Sequence, residues 1–334
     1  MCATKRPEKS VAWLPEREVW GPERPGLSEI EPLNRVFSES FTDRYRRDGM
    51  TGVRVPFLHA DIWRYALEDA ADGAMVWRDS EGRIVAFNMA HRSGNEGWMG
   101  PLAVRSDWQD RGIGTDMLKA GITWLKGLGV TTLGLETMPR TIENIGFYSR
   151  LGFEPGMMTI TLSRDLPAAP RGSVGEAEGL SGHPTQRAHQ IEECRRVTDQ
   201  ICAGLDFSRE FVLTGDLHLG DAVFLRQGGT LSAFALYHTA PLAAGRSAEE
   251  LRILKIVAPD VRSFIGVVAG AEAAAQRLRL PRVSLRCQTA FRSHYAALVD
   301  RGYRVHWTDL RMNLRGFAEP VLAEEAVVWS NWEV

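Results

Sequence analysis

At 334 residues the chain is long enough for two domains of average size, roughly 150 residues each, or for one large one. Hydrophobic residues at 44% and charged residues at 25% are values of a folded globular chain, and they exclude disordered, collagen-like and coiled-coil classes. With 40 Lys and Arg against 42 Asp and Glu the formal net charge is -2, so no bulk field draws the chain to nucleic acid or to an anionic membrane. Cys2, Cys194, Cys202 and Cys287 lack CxxC spacing, which excludes a zinc ribbon and a dense disulfide scaffold and suits a reducing cytosol. The histidines lack HExxH spacing, so no metal is expected. The first residues carry charge throughout, and no apolar run reaches the roughly 18 residues of a membrane span; a cytoplasmic location is expected.

In chain order, residues 1–17 form an arm rich in Pro, Glu and Arg that is expected to be mobile, followed by Val19-Trp20 as a short first strand. Leu27, Ile30, Leu33, Val36, Phe37 and Phe41 recur at three- and four-residue steps and predict a helix over 27–47. Ile62, Tyr65 and Ala66 predict another over 61–69. The period then changes: Ala74 to Trp77 and Ile84 to Phe87 flank Asp79-Ser80-Glu81-Gly82 as a hairpin, and Trp98 to Val104 follows as a third strand. A helix is predicted over Thr115 to Leu128, with Met117, Leu118, Gly121, Ile122, Leu125 and Leu128 on one face. Val130 to Glu136 is a strand, Ile142 to Leu151 a helix, and Met157 to Leu162 a strand, an α/β layer arrangement.

From Pro167 to Pro184 no apolar period survives, which marks a linker. The order then repeats. Ala222 to Leu225 and Leu231 to Tyr237 match the first hairpin, Leu251 to Val257 matches the third strand, and Val267 to Leu278, Val283 to Cys287 and Ser293 to Asp300 follow as helix, strand and helix. The separation is 153 residues at Val104/Val257 and 150 at Gly152/Gly302, a near-constant offset that indicates internal duplication. The tail from Ala326 to Val334 has an apolar face fit to add a last strand to either sheet.

Chemistry concentrates at Gln109-Asp110-Arg111-Gly112-Ile113-Gly114, between a strand and a helix. First-turn amides of a helix have no intrahelical partner, and the helix dipole favours an anion there. Glycine at 112 and 114 lets a phosphate approach the backbone, so a pyrophosphate fits. A Walker loop is absent, and Met117 stands where a dinucleotide fingerprint needs its third glycine.

Pro101-Leu102-Ala103-Val104, the turn Gln109-xx-Gly112-x-Gly114, and Asn144-Ile145-Gly146-Phe147-Tyr148-Ser149-Arg150-Leu151-Gly152-Phe153 together resemble the GCN5-related N-acetyltransferase (GNAT) superfamily. The resemblance covers about 18–165 and, more weakly, 186–314. It implies an α/β fold of two tandem GNAT-like domains, each a mixed twisted sheet flanked by helices: a catalytic domain over 18–166, a linker over 167–185, and a degenerate domain over 186–334. It also implies acetyl-CoA as cosubstrate. The pantetheine arm is expected along Leu102, Ala103 and Val104, beside a splayed strand pair, and the pyrophosphate on Gln109, Asp110, Arg111, Gly112, Ile113, Gly114 and Thr115. Tyr148 stands where the family has a proton donor to the departing sulfur. Thr141 replaces a common cofactor-contacting asparagine, and Asn144 is the substitute.

Glu136 is the family-like candidate for the base, with a structural hydrogen bond as its alternative role; His91, Glu96 and Asp43 are further candidates. In the second copy Arg262 to Val267 is expected opposite the glycine turn, with Phe264 blocking a phosphate and Leu298 in place of Tyr148. The expected activity is direct acetyl transfer to the amine of a small molecule or peptide, the alternatives being a non-catalytic acyl-CoA sensor or scaffold and a transferase of another acyl group. The resemblance leaves a homodimer open.

Overall fold

The structure, a computed structural model, describes residues 19–167 and 179–332. The expected N-terminal arm and most of the expected linker lie outside the described residues. The first half runs β1 (Val19–Glu23), α1 (Ile30–Arg47), α2 (Ala60–Ala70), β2 (Ala74–Asp79), β3 (Ile84–Ser93), β4 (Glu96–Val104), α3 (Ile113–Gly127), β5 (Thr132–Thr137), α4 (Ile142–Arg150) and β6 (Phe153–Asp165). The second half repeats that order as α5 (Pro184–Ile201), α6 (Ser208–Asp216), β7 (Gly220–Gln227), β8 (Thr230–His238), β9 (Glu250–Ala258), α7 (Val261–Arg277), β10 (Arg282–Gln288), α8 (Arg292–Asp300) and β11 (Arg304–Leu314), and it adds β12 (Val327–Ser330). Among the described residues no helix is long and apolar enough to cross a membrane.

The two mixed sheets expected from the sequence are fused into one, in the order β1-β2-β3-β4-β5-β11-β6-β10-β9-β8-β7. Each half gives one strand to the other, β6 from the first and β11 from the second. Strand β11 pairs with β5 from Leu310↔Thr137 to Asn313↔Gly134, while β6 pairs with β10 along Asp165↔Arg282 to Thr159↔Gln288. A division at 166/186 therefore follows the chain but not the sheet, because neither half closes without a strand of the other. The exchange also explains the length of β6: it spans 13 residues, against the shorter Met157–Leu162 stretch predicted, since it must lie between β11 and β10.

Helices cover both faces of each half. Leu33, Val36, Trp63 and Leu67 of α1 and α2 pack on Val76 and Phe87, while Leu118 and Leu125 of α3 and Tyr148 of α4 pack on Met99, Leu133 and Leu135. The predicted face of α3 is buried at Met117, Leu118, Gly121 and Leu125, but Leu128 caps the helix and is exposed. Helices α5 and α6 have no counterpart in the periodicity. The buried side of α5 mixes Ile191, Cys194 and Val197 with polar Gln190 and Thr198, so the hydrophobic contrast between its faces is faint. Helix α7 begins at Val261, six residues before the predicted start, because the Asp260 side chain caps it, accepting a hydrogen bond from the Ser263 amide at 2.7 Å.

Candidate active site

Strand β4 has two stretches with different neighbours. From Glu96↔Thr132 to Met99↔Leu135 it pairs in parallel with β5; beyond Met99 that pairing stops, although β3 continues alongside to Val104. Backbone groups of Leu102, Ala103 and Val104 that face β5 therefore have no strand to bond. Half-buried backbone of this kind calls for a partner, which the Val104 carbonyl already has in the Gln109 side chain. The splay expected from the sequence is present as a slot between β4 and β5 beyond Met99, where their pairing ends.

Eight residues, 105–112, lead from the end of the slot to α3. Gly112 is the N-cap, with φ of 83°, a left-handed conformation that L residues with a Cβ adopt at a cost of about 1–2 kcal/mol. The amides of Gly112, Ile113 and Gly114 donate to no acceptor among the described residues, whereas those of Thr115 and Asp116 both bond the Gly112 carbonyl, at 3.0 and 3.1 Å. The residues at the start of α3 that are expected to cradle a pyrophosphate thus present unbonded amides, while Thr115 does not offer its own. A Cβ on Gly112 would meet nothing within 4 Å, so its role is conformational; one on Gly114 would come to 3.3 Å from Phe147 Cζ.

Side chains brace the turn. The Gln109 amide donates to the Val104 carbonyl at 3.0 Å and accepts from Arg47 Nη1 at 2.8 Å, which ties the C-terminal end of α1 to the slot. Arg111 lies over the Trp108 ring at 4.6 Å and donates to the Asp107 carbonyl, with exposed Asp110 beside it at φ of 62°. The link from Arg47 to Gln109 is not legible in the sequence, since nothing in a linear pattern announces a contact across 62 positions.

Tyr148 sits on α4 beneath the sheet, 5% exposed, against Phe147 and Phe153 at ring distances of 5.4 and 6.2 Å. Its hydroxyl has no hydrogen-bond partner among the described residues. Burial raises its pKa far above the ordinary tyrosine value, so it keeps its proton. Asn144 is half-buried on the same helix, one turn earlier. Thr141, fully buried, donates to Asp48 at 2.6 Å and is committed to the fold.

Glu136 is not placed as a base. Its side chain is 3% exposed on the face of β5 opposite Tyr148; it accepts from Thr159 at 2.6 Å, bonds Arg286, and lies 3.4 Å from Arg311 Nε. Burial alone would raise its pKa, but the two guanidinium groups outweigh it and hold the carboxyl below the usual range. It is the anchor of an ion cluster joining β5, β10 and β11. The other candidates are also committed: His91 is fully buried, 2.5 Å from Asp69 and stacked on Trp98 at 4.0 Å; Glu96 accepts from Ser330; Asp43 accepts from Ser106 at 2.8 Å.

The second half is closed differently from expectation. Only two residues, 259 and 260, join β9 to α7, so no turn exists opposite Gln109 to Gly114, and 262–267 is helix. Phe264 blocks nothing in a turn: it is fully buried in α7 against Trp329, at a ring distance of 4.9 Å. Strands β9 and β10 do part after Arg252↔Ser284, but β12 fills the gap by pairing with β9 from Val327↔Ala258 to Ser330↔Lys255. Leu298 occupies the position of Tyr148 and is 1% exposed in the core.

Residues 33–153 match the model of the acetyltransferase (GNAT) family. Three solved structures have a similar fold at low identity. A Pyrococcus horikoshii protein assigned as an acetyltransferase is 15% identical, with a TM-score of 0.65, over 99% of either chain. The tandem GNAT protein of the clavulanic acid biosynthesis pathway is 13% identical, with a TM-score of 0.54, over 88% of this chain and 96% of that one. N-myristoyltransferase of Saccharomyces cerevisiae is 11% identical, with a TM-score of 0.60, over 92% of this chain and 80% of that one.

Proposed function

Because its first half makes this chain a member of the GNAT superfamily of acyltransferases, we propose that it transfers the acetyl group of acetyl-CoA to a primary amine by direct attack, using one slot per chain. The observation that carries this is the open side of β4 beyond Met99, ending at three unbonded amides. Bound acetyl-CoA supplies the activated acyl group as a thioester. Leu102 to Val104 hold its arm by strand-like hydrogen bonds from the groups that face away from β3, and the N–H groups among these are fixed donors to a carbonyl oxygen, a preorganised arrangement that needs no rearrangement during reaction. Gly112, Ile113 and Gly114 take the pyrophosphate, aided by the α3 dipole.

Tyr148 holds its hydroxyl proton at the pH of reaction and delivers it to the sulfur side of the slot. Since Glu136 is locked in an ion cluster, the amine loses its proton to water. Cytoplasmic acetyl-CoA metabolism suits such an enzyme. Calorimetric titration with acetyl-CoA, followed by time-dependent release of free thiol with a panel of primary amines, tests the proposal. Saturable heat with amine-dependent thiol release supports it; heat without thiol release returns the chain to the sensor class, and absence of heat removes the donor site.

A further inference from the structure

A cavity of about 330 Å³ opens where β5 ends, between the β5–α4 connection and the first residues of β11. Its walls come from both halves: Met138, Pro139 and Arg140 from the first, Val305, His306 and Trp307 from the second. The register ties it to the slot. Strand β5 runs on to Thr137, two residues beyond its last pairing with β4 at Leu135↔Met99, and the lining of the cavity starts at the next residue, Met138. The cavity thus begins at the height where the slot is open.

Its chemistry has two parts. One wall is apolar: Met138, Pro139, Val305 and the indole of Trp307, whose Nε1 donates to buried Asp309 at 3.2 Å and whose ring meets Tyr45 of α1 edge-on at 6.2 Å. The other is a cation. Around this corner Arg44 is paired with Asp48, Arg286 with Glu136 and Asp309, and Arg311 with Glu136 and Glu319. Arg140 is exposed at the rim and has no partner among the described residues. A fixed indole wall beside an uncommitted guanidinium selects a small ligand with an apolar body and an anionic group.

We infer that this cavity receives the acceptor, and that the acceptor is a small amine of the amino-acid kind, its carboxylate on Arg140 and its apolar side group against Met138, Pro139 and Trp307. This rests on the acetyl-CoA slot proposed above. In the transfer the nitrogen lone pair forms the C–N bond, the C–S electron pair leaves on sulfur, which gains one proton, and nitrogen gives one up to water.

Thiol release measured with acetyl-CoA and two probes, L-phenylalanine and phenethylamine, tests the inference, since the second is the first without its carboxylate. The expected KM for phenethylamine is about tenfold higher, the size of one charge-assisted contact. Arg140→Ala should raise the KM for phenylalanine by about the same factor and leave that for phenethylamine unchanged. Trp307→Ala should raise both, and Trp307→Phe should restore most of the loss. Equal KM values for the two amines in the unmodified chain, or an Arg140→Ala variant that treats both alike, would overturn it. So would absence of turnover with either amine while acetyl-CoA still titrates; a chain that gives no acetyl-CoA heat overturns the slot as well.

Discussion

The two halves of this sheet open in the same way and are filled in different ways. In the first, β4 leaves β5 after Met99 and no strand among the described residues takes its place; in the second, β9 leaves β10 after Arg252 and β12 moves in. The same difference recurs one step along the chain. Eight residues ending in a left-handed glycine lead into α3, while two residues lead into α7 and bring in Asp260, whose carboxylate caps that helix at the Ser263 amide. A parted parallel strand pair is therefore not a binding site by itself. On the proposed reading it becomes one where the chain does not supply its own strand and a longer turn with a left-handed glycine follows.

The interior filling should be worth the most. Trp329 of β12 is 2% exposed and packs on Phe264, so Trp329→Ala should destabilise the chain by about 3–5 kcal/mol in denaturant unfolding. It should leave acetyl-CoA binding at one molecule per chain, since the second half has no turn to hold a phosphate; a second molecule bound by the variant would break the comparison. The next largest effect is on chemistry. Tyr148→Phe should lower the turnover number by about 10²-fold or more while calorimetry finds the acetyl-CoA affinity nearly intact. An unchanged rate would make Tyr148 a core aromatic like Leu298, its counterpart.

A smaller effect follows from copying one half into the other. Gly112→Asp places a carboxylate and a Cβ where the first half has neither, and about a tenfold loss of acetyl-CoA affinity is expected, with stability lowered by about 1–2 kcal/mol because the left-handed backbone at Gly112 disfavours a Cβ although the space around it is open. The smallest is a pH effect. Burial raises the Tyr148 pKa, so its proton is lost only above the ordinary value near 10, and turnover should show no fall assignable to it as the pH rises to about 10. A descending limb near that value, removed by Tyr148→Phe, would place the hydroxyl in water.

How much of this was legible in the sequence follows from the range of each signal. The glycine turn, the strand before it and Tyr148 are local patterns, and the duplication is a repeat of such patterns. The strand exchange is not: β6 and β11 have ordinary strand compositions, and only the sheet shows that each pairs with the other half. The fixed offset failed at the one place where the second copy is shorter, so Phe264 was assigned to a turn that does not exist. Glu136 followed the family pattern, but its ion partners, Arg286 and Arg311, lie 150 and 175 positions away in the second half. Trp332 shows the same limit: its ring lies over Gly134, where a Cβ would come within 2.4 Å, and under Arg311 at 3.5 Å. No pattern around Gly134 hints at it.

The most direct test of the claim that one slot works and the other is filled by the chain itself is calorimetric stoichiometry with acetyl-CoA, measured on the unmodified chain and on Gly112→Asp and Asp260→Gly variants. One molecule per chain is predicted, weakened by the change at Gly112 and indifferent to the change at Asp260. Two molecules per chain, or binding that responds to Asp260 and ignores Gly112, would contradict it.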